Sequence, residues 1–505
     1  MTKDYITYSR ENGGRVLLLF LLFLLAMYEL ATSGLQSFAI ICIFPIILLY
    51  IYVAFRWKMF TFWTLITINY FIQMKDISLP IPMSLPNEIL ELILLGIAVI
   101  DARQDSHFER AGNLMLFALS IWFCFCCLEV FNDTCALGID VAAWFTGTRL
   151  MALQLLWIFL VFTIYIASPK ILMTYLKIWA LFSLFSAFWV WKQETLGFTS
   201  VEKQWMETRG RSTHILNAGT LIRYFSTFSD AANYGCNASA AAVAFIIIGI
   251  STKLKKDKIF FISIAVAVIW GMFQSGTRTA IFTLGAGLLV YVFLSKSFKI
   301  AVPFTIVFGF FAFLLIFTTI GQGNQQIRRM RSAFNKEDAS ANVRDINKAA
   351  IKKYIADAPW GIGLGMGGNN VPANNKYAKL STIPPDSEYV AIWIRTGPIG
   401  ITVFLICMVI MWIGACRIVL FRLKNKSLIG IGGGLCGAFV AIQLGAYANQ
   451  VLYQYPNGLT FFGGLAIVYV LPYIEPEWIK YEEQCDAEEK ERKRLKLEKK
   501  LASRV

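Results

Sequence analysis

Long apolar runs separated by short polar clusters dominate this chain. They lie near 15–33, 35–55, 59–73, 88–101, 111–131, 150–168, 171–191, 234–251, 259–274, 279–295, 299–320, 390–415, 428–446 and 457–474. Many approach the roughly 20 residues that an α-helix needs to cross a bilayer. The pattern predicts an all-α polytopic membrane protein with about fourteen transmembrane helices. The first run keeps its length, lacks a small-residue cleavage site and is followed at once by a second, so it is expected to stay as an anchor.

Two polar stretches are too long to be simple turns. They divide the chain into a block of seven helices over 1–191, a loop over 192–233, four helices over 234–321, a long loop over 322–389, three helices over 390–475 and a charged tail over 476–505. Within the long loop, Val343, Ile346, Ala350 and Tyr354 recur at helical spacing among Arg344, Lys348, Lys352 and Lys353. That pattern predicts an amphipathic basic helix over 342–357, placed to lie on the membrane surface.

Composition agrees with the pattern. Hydrophobic residues make up 57% of the 505 positions and charged residues only 16%, too apolar a balance for a soluble domain. Lys and Arg in the short connections (Arg10, Arg15, Arg56, Lys58, Arg103, Arg110, Lys170, 253–258, Lys296, Lys299, Arg417, Arg422, Lys424, Lys426) fall on one side when the helices alternate, which marks that side as cytoplasmic. Both termini are then cytoplasmic, and 192–233 and 322–389 face outward. Much of the +15 net charge is this topology signal plus the mixed-charge tail, so nucleic acid is not the expected partner. The ten cysteines show no disulfide or metal spacing, and with His107 and His214 the only histidines, a histidine-built metal centre is not expected.

Candidate chemistry gathers in the outward loops. "TRGRSTHILNAGTLIRYFSTFSDAANYG" places Arg209, Arg211, His214 and Arg223 ahead of Asp230 and Asn233. The short turn "QSGTRTA" places Arg278 beside Ser275, Thr277 and Thr279. Arginine in so apolar a neighbourhood either snorkels to the interface or meets an anion, and guanidinium forks suit phosphate. "GIGLGMGG" follows a helix and not a strand, which excludes a dinucleotide loop. In "PPDSEYVAIWIRTGPIG", Asp386 or Ser387 could cap the following helix; equally, Asp386 or Glu388 could be a general base facing a surface cavity.

Four of these segments, in order, resemble the O-antigen polymerase and O-antigen ligase superfamily: "RYFSTFSDAANYG", "SGTRTA", "NVRDINKAAIKKYIADAPWGIGLG" and "DSEYVAIWIRTGPIG", across roughly 220–402. The resemblance implies a GT-C-like membrane glycosyltransferase at the periplasmic face of the bacterial inner membrane, acting on undecaprenyl-diphosphate-linked glycans as donor and acceptor, with no cofactor. A chain-length regulator and a flippase are the implied partners besides the bilayer. Arg223 and Arg278 would stabilise the leaving diphosphate without a metal, and Asp386 would take the acceptor proton, with Glu388 and His214 as substitutes. Arg344, Lys348 and Lys352 would hold a second diphosphate or guide its glycan; Arg209, Arg211 and Arg395 are substrate-binding candidates without an assigned role. The chain departs from the family at the last motif: Asp386-Ser387 replaces a His-Asn that is common in ligases, and Arg395 replaces a glutamate. The missing histidine points toward polymerase, with ligase, transporter or flippase, and noncatalytic assembly protein as the other readings. Nine positions along a straight helix put Asp386 and Arg395 on opposite faces, so only a break near 384–388 would pair them.

Overall fold

The computed structural model describes residues 13–32, 48–77, 82–103, 107–216, 221–295, 325–332, 339–366, 370–381 and 383–502, with scattered positions between 302 and 323. It divides into two compact units, 1–64 and 65–505. Helices in chain order are α1 (Gly13–Thr32), α2 (Lys58–Phe71), α3 (Leu85–Ile100), α4 (Leu114–Leu128), α5 (Val141–Tyr165), α6 (Pro169–Thr195), α7 (Ala231–Ser251), α8 (Lys255–Gln274), α9 (Arg278–Leu294), α10 (Gln325–Ser332), α11 (Ala339–Ile355), α12 (Glu388–Arg417), α13 (Lys426–Ala448) and α14 (Gly463–Ala502).

Among the described residues, nine helices are long and apolar enough to cross a membrane, and the fold is that of an all-α polytopic membrane protein. Three other expected spans are also helical, but α2, α3 and α9 have only 14, 16 and 17 residues. Half of the run 299–320 and much of 35–55 lie outside the described residues. Helix α5 starts nine residues earlier than its apolar run, because Asp140 caps it through the Ala143 N–H at 2.9 Å.

The centre of the larger unit is built on small residues. In α7, "NASAAAVA" lets α8, α9 and α13 approach closely, and the glycines of α13 continue the surface. A Cβ on Gly287 would lie 2.8 Å from the Gly437 carbonyl oxygen, and one on Gly434 would lie 3.1 Å from that of Ala244, so these backbones nearly touch. Helix α14 runs through Pro472 and Pro476 into the charged tail without a break.

Helix α12 does break, at Gly397, whose φ of +65° and ψ of −173° are accessible to glycine and very few others. Pro398 follows and offers no N–H to the Ile394 carbonyl. The glycine-rich loop supplies what the helix lacks. Ile362 donates its N–H to the Ile394 carbonyl and Gly363 to that of Arg395, both at 2.9 Å. Gly361, at φ +73°, sits so close that a Cβ there would strike the Arg395 carbonyl. The loop thus clamps a helix break, and Ile362 and Ile394 share an apolar cluster with Ile351 and Ile355 of α11. The apolar face of α11 is covered by protein at this end, while Val343 and Ile346 nearer its start remain exposed.

Candidate active site

A two-residue antiparallel ladder, Ile215–Leu216 with Leu221–Ile222, pairs Ile215 with Ile222. The Arg223 N–H extends it by donating to the His214 carbonyl at 2.9 Å, so the two side chains start from neighbouring backbone. His214 then faces the start of α7. Its Nε2 accepts the Ala231 N–H at 3.0 Å, while Asp230 accepts from Ala232 and Asn233 at 2.8 and 2.9 Å. Three of the free N–H groups that open the helix are satisfied in this way. The remaining ring proton lies on Nδ1, 2.8 Å from the Thr213 hydroxyl and 3.2 Å from the Gly210 carbonyl. Burial first, and then the Arg223 charge, push the His214 pKa down to about 4. Its lone pair is committed to the helix, which leaves none to remove a substrate proton.

The turn "SGTR" orients the arginines. Arg223 donates from Nε to the Ser275 carbonyl at 3.2 Å, from one terminal nitrogen to the Thr213 carbonyl at 3.0 Å and from the other to the Thr277 hydroxyl at 3.1 Å. Thr277 donates in turn to the Ala231 carbonyl at 2.8 Å. Gly276, at φ +59°, gives its carbonyl to Arg329 Nε at 2.7 Å and would press a Cβ against both Arg223 and Arg329. Arg278 is the first residue of α9. Burial lowers the Arg223 pKa to about 10, with Arg278 and Arg344 as like charges in the same direction against Asp230. It stays charged at neutral pH in a field that is short of anions.

These groups line one cavity of about 860 Å³. His214, Arg223, Arg278, Arg344 and Asp386, expected as site residues from four separate segments, all reach it, joined by Arg328 and Arg329 of α10. A second cavity of about 600 Å³ adjoins it through Arg344 and Asp386, and carries Lys348 beside Tyr389, Trp393 and Tyr447. The Lys348 ammonium lies 5.3 Å from the centre of the Tyr447 ring. Asp386 accepts from the Asn347 side-chain amide at 3.3 Å. It does not cap α12, and neither does the side chain of Ser387, the residue at the cap position, whose hydroxyl donates instead to the Ala446 carbonyl at 3.2 Å.

Other expected residues lie elsewhere. Arg209 and Arg211 are exposed beside the turn that leads to His214, and Lys352 is exposed on α11; none of the three lines a cavity described here. Glu388 and Arg395 face a third space of about 320 Å³, and neither lines the arginine cavity. They are seven positions apart, which is two turns and hence one face of the helix. Arg395 therefore shares a chamber with Glu388, not with Asp386, and the break in α12 falls after Arg395 instead of near 384–388. Arg328 and Arg329 look in the sequence like part of an undirected basic run, and only the cavity wall, with the Gly276 contact of Arg329, reveals their aim. Among the described residues, no group of three or more His, Cys, Asp or Glu side chains is arranged to hold a metal ion.

Comparison with protein families bears on part of this cavity. Residues 264–405 match the family described as O-antigen ligase. The match supports the O-antigen polymerase and ligase superfamily and contains three of the four motifs, "SGTRTA", the α11 segment and "DSEYVAIWIRTGPIG". No curated protein matches the chain. Members of that superfamily transfer glycans in membranes. The Arg223 motif precedes the matched segment, yet it is physically joined to it through Ser275 and Thr277.

Proposed function

We propose that this protein is an inverting glycosyltransferase that polymerises undecaprenyl-diphosphate-linked oligosaccharide repeat units at the periplasmic face of the inner membrane. The observation that carries the reading is the single cavity that gathers Arg223, Arg278, Arg329 and Arg344 around Asp386. Glycosyl transfer from a lipid diphosphate breaks the bond between the anomeric carbon and the diphosphate oxygen, and the diphosphate leaves with the electron pair. Fixed guanidinium groups stabilise that developing charge without reorganising, a contribution worth roughly 10²–10³ in rate per well-placed donor. In this reading Arg223 and Arg278 hold the leaving diphosphate with Arg329 beside them, and the cations take the place a divalent metal would otherwise fill.

Asp386 stands where the arginine cavity meets the aromatic one, and there it accepts the proton of the acceptor hydroxyl as the new glycosidic bond forms. Arg344 and Lys348 hold the diphosphate of the second, acceptor lipid, and the adjoining aromatic cavity receives its sugars. Glu388, turned toward another chamber, does not take part in this proton transfer. His214 fixes the start of α7, and Arg209, Arg211 and Lys352 guide the glycan from outside the cavity.

A second reading, transfer of the glycan to a lipid A core or another acceptor, is favoured by the description of the matching family as O-antigen ligase. The same arginines and Asp386 would serve it. The deciding experiment supplies purified enzyme in proteoliposomes with its own lipid-linked repeat unit. A ladder of lipid-linked oligomers, lost in Arg278→Ala and Asp386→Asn while both remain folded, is the expected result. No ladder, but transfer once lipid A core is added, would replace polymerase by ligase.

A further inference from the structure

The chamber of about 320 Å³ that contains Glu388 and Arg395 differs chemically from the arginine cavity next to it. Gln450 and Gln454 line both spaces, so the two adjoin. The larger cavity carries a strong excess of positive charge. The smaller one sets one guanidinium beside one carboxyl group, and Gln73, Gln154, Tyr453 and Tyr455 add amides and phenols to a lining that includes Leu150 and Met151. Its volume falls within the roughly 300–1,000 Å³ of small-molecule sites.

Arg395 has hydrogen-bond donors to spare here. Glu388 is 7% exposed and accepts from the Leu452 N–H at 3.2 Å and from the Tyr453 N–H. The half-buried Arg395 guanidinium, with five N–H donors, has the Met151 thioether at 3.5 Å as its hydrogen-bond partner, a weak acceptor. The guanidinium donors that face the chamber are open to a bound molecule. A phosphate in this chamber would meet Glu388 as well as Arg395. A neutral molecule with many adjacent hydroxyls can accept from Arg395 and the glutamines and donate to Glu388 at the same time.

We infer that this chamber is a saccharide subsite, holding one or two uncharged sugar residues of the glycan whose diphosphate lies in the arginine cavity. The inference rests on the glycosyltransferase reading above and adds a specificity element to it. Gln450 is oriented for this by donating to the Pro385 carbonyl at 2.8 Å, next to Asp386, so the sugar chain would pass the reacting centre on its way into the chamber.

The test uses full-length protein in nanodiscs and two separate probes: the repeat-unit oligosaccharide freed of lipid and diphosphate, and undecaprenyl diphosphate without sugar. Arg395→Gln and Gln154→Ala are expected to weaken oligosaccharide binding by about tenfold or more each, as the loss of a buried hydrogen bond would, and to leave undecaprenyl diphosphate binding within about twofold. Gln154→Ala decides the matter if Arg395→Gln fails to fold. Loss of undecaprenyl diphosphate binding alone would reassign the chamber to the diphosphate site. Unchanged oligosaccharide binding in a folded Gln154→Ala protein, or none in the wild type, would overturn the inference. If wild-type protein binds the oligosaccharide but not undecaprenyl diphosphate, the lipid-diphosphate reading fails while the chamber stands.

Discussion

Arg223 commits three of its five N–H donors to Thr213, Ser275 and Thr277, and it lies on the wall of the arginine cavity. A lysine ammonium cannot reach three such oxygens at once while presenting a planar fork to phosphate. Arg223→Lys is therefore expected to lose nearly as much turnover as Arg223→Ala, on the order of 10²–10³-fold; proteoliposome kinetics check this, and a lysine variant near wild-type rate would reduce the role of Arg223 to charge alone. His214 yields a prediction about stability instead. Its pKa is depressed in the fold to about 4, below an unfolded value near ~6.5, so as pH falls the unfolded chain takes up the proton first. The stabilisation is present above the unfolded pKa and is lost between about pH 6.5 and 4, amounting to on the order of 3 kcal/mol. His214→Gln should lower the melting temperature at pH 7.5 and flatten its decline across that window; an unchanged acid limb would show that other groups cause it. At this scale the sequence was legible where charge was expensive: Arg223, Arg278 and Asp386 stood out against apolar surroundings. Glu388 and Arg395 were harder to pair, because a seven-residue spacing means one face only if the helix starts at Glu388 and stays regular up to Arg395.

The break in α12 shows how an element can be set by contacts from far along the chain. Gly361 and Gly397 lie against each other's backbone, and the Ile362 and Gly363 N–H groups take the carbonyls that the break releases. Gly361→Ala would force a methyl into the Arg395 carbonyl at an already left-handed φ, with an expected cost on the order of 3 kcal/mol. It should also disturb Arg395 and hence the neighbouring chamber. Pro398→Ala is the contrasting variant: the Ile394 carbonyl already has a donor in Ile362, so the loss of stability should stay below about 1 kcal/mol. Comparable melting temperatures for the two variants would refute the clamp. Hydrophobic periodicity located every apolar helix within the described residues to within a few positions at most ends, since bilayer thickness sets the length of such runs. It could not locate the clamp, because "GIGLG" and "RTGPIG" complement each other through backbone shape, which no periodicity records. The ladder that joins His214 to Arg223 escaped for a similar reason: two residues per strand are too few for alternation to register.

Across the whole molecule, the proposed reaction is a matter of which face of the sugar meets which group. The "SGTR" turn, the short ladder before α7, helix α10 and Arg344 of α11 bring cations to one cavity, while the approach to α12 brings Asp386 to the seam with the aromatic cavity. A donor whose diphosphate lies among the arginines and an acceptor that enters past Asp386 would approach the anomeric carbon from opposite sides. That arrangement requires a single displacement, and a single displacement inverts the anomeric configuration. Proton NMR of the polymer should thus show the repeat-joining linkage in the configuration opposite to that of the sugar–diphosphate bond in the lipid-linked donor. Retention would demand a covalent glycosyl-enzyme, for which two carboxyl groups about 5–5.5 Å apart are the usual requirement in glycoside chemistry, and would move Asp386 from base to nucleophile. Because the cations are side chains held by backbone carbonyls, turnover should survive a chelator at concentrations that strip divalent ions, whereas a chelator-sensitive enzyme would mean that the arginines bind the diphosphate only in company with a metal. Inversion together with chelator resistance would tie the chemistry to the arginine cavity in either the polymerase or the ligase reaction, leaving the acceptor alone to distinguish them.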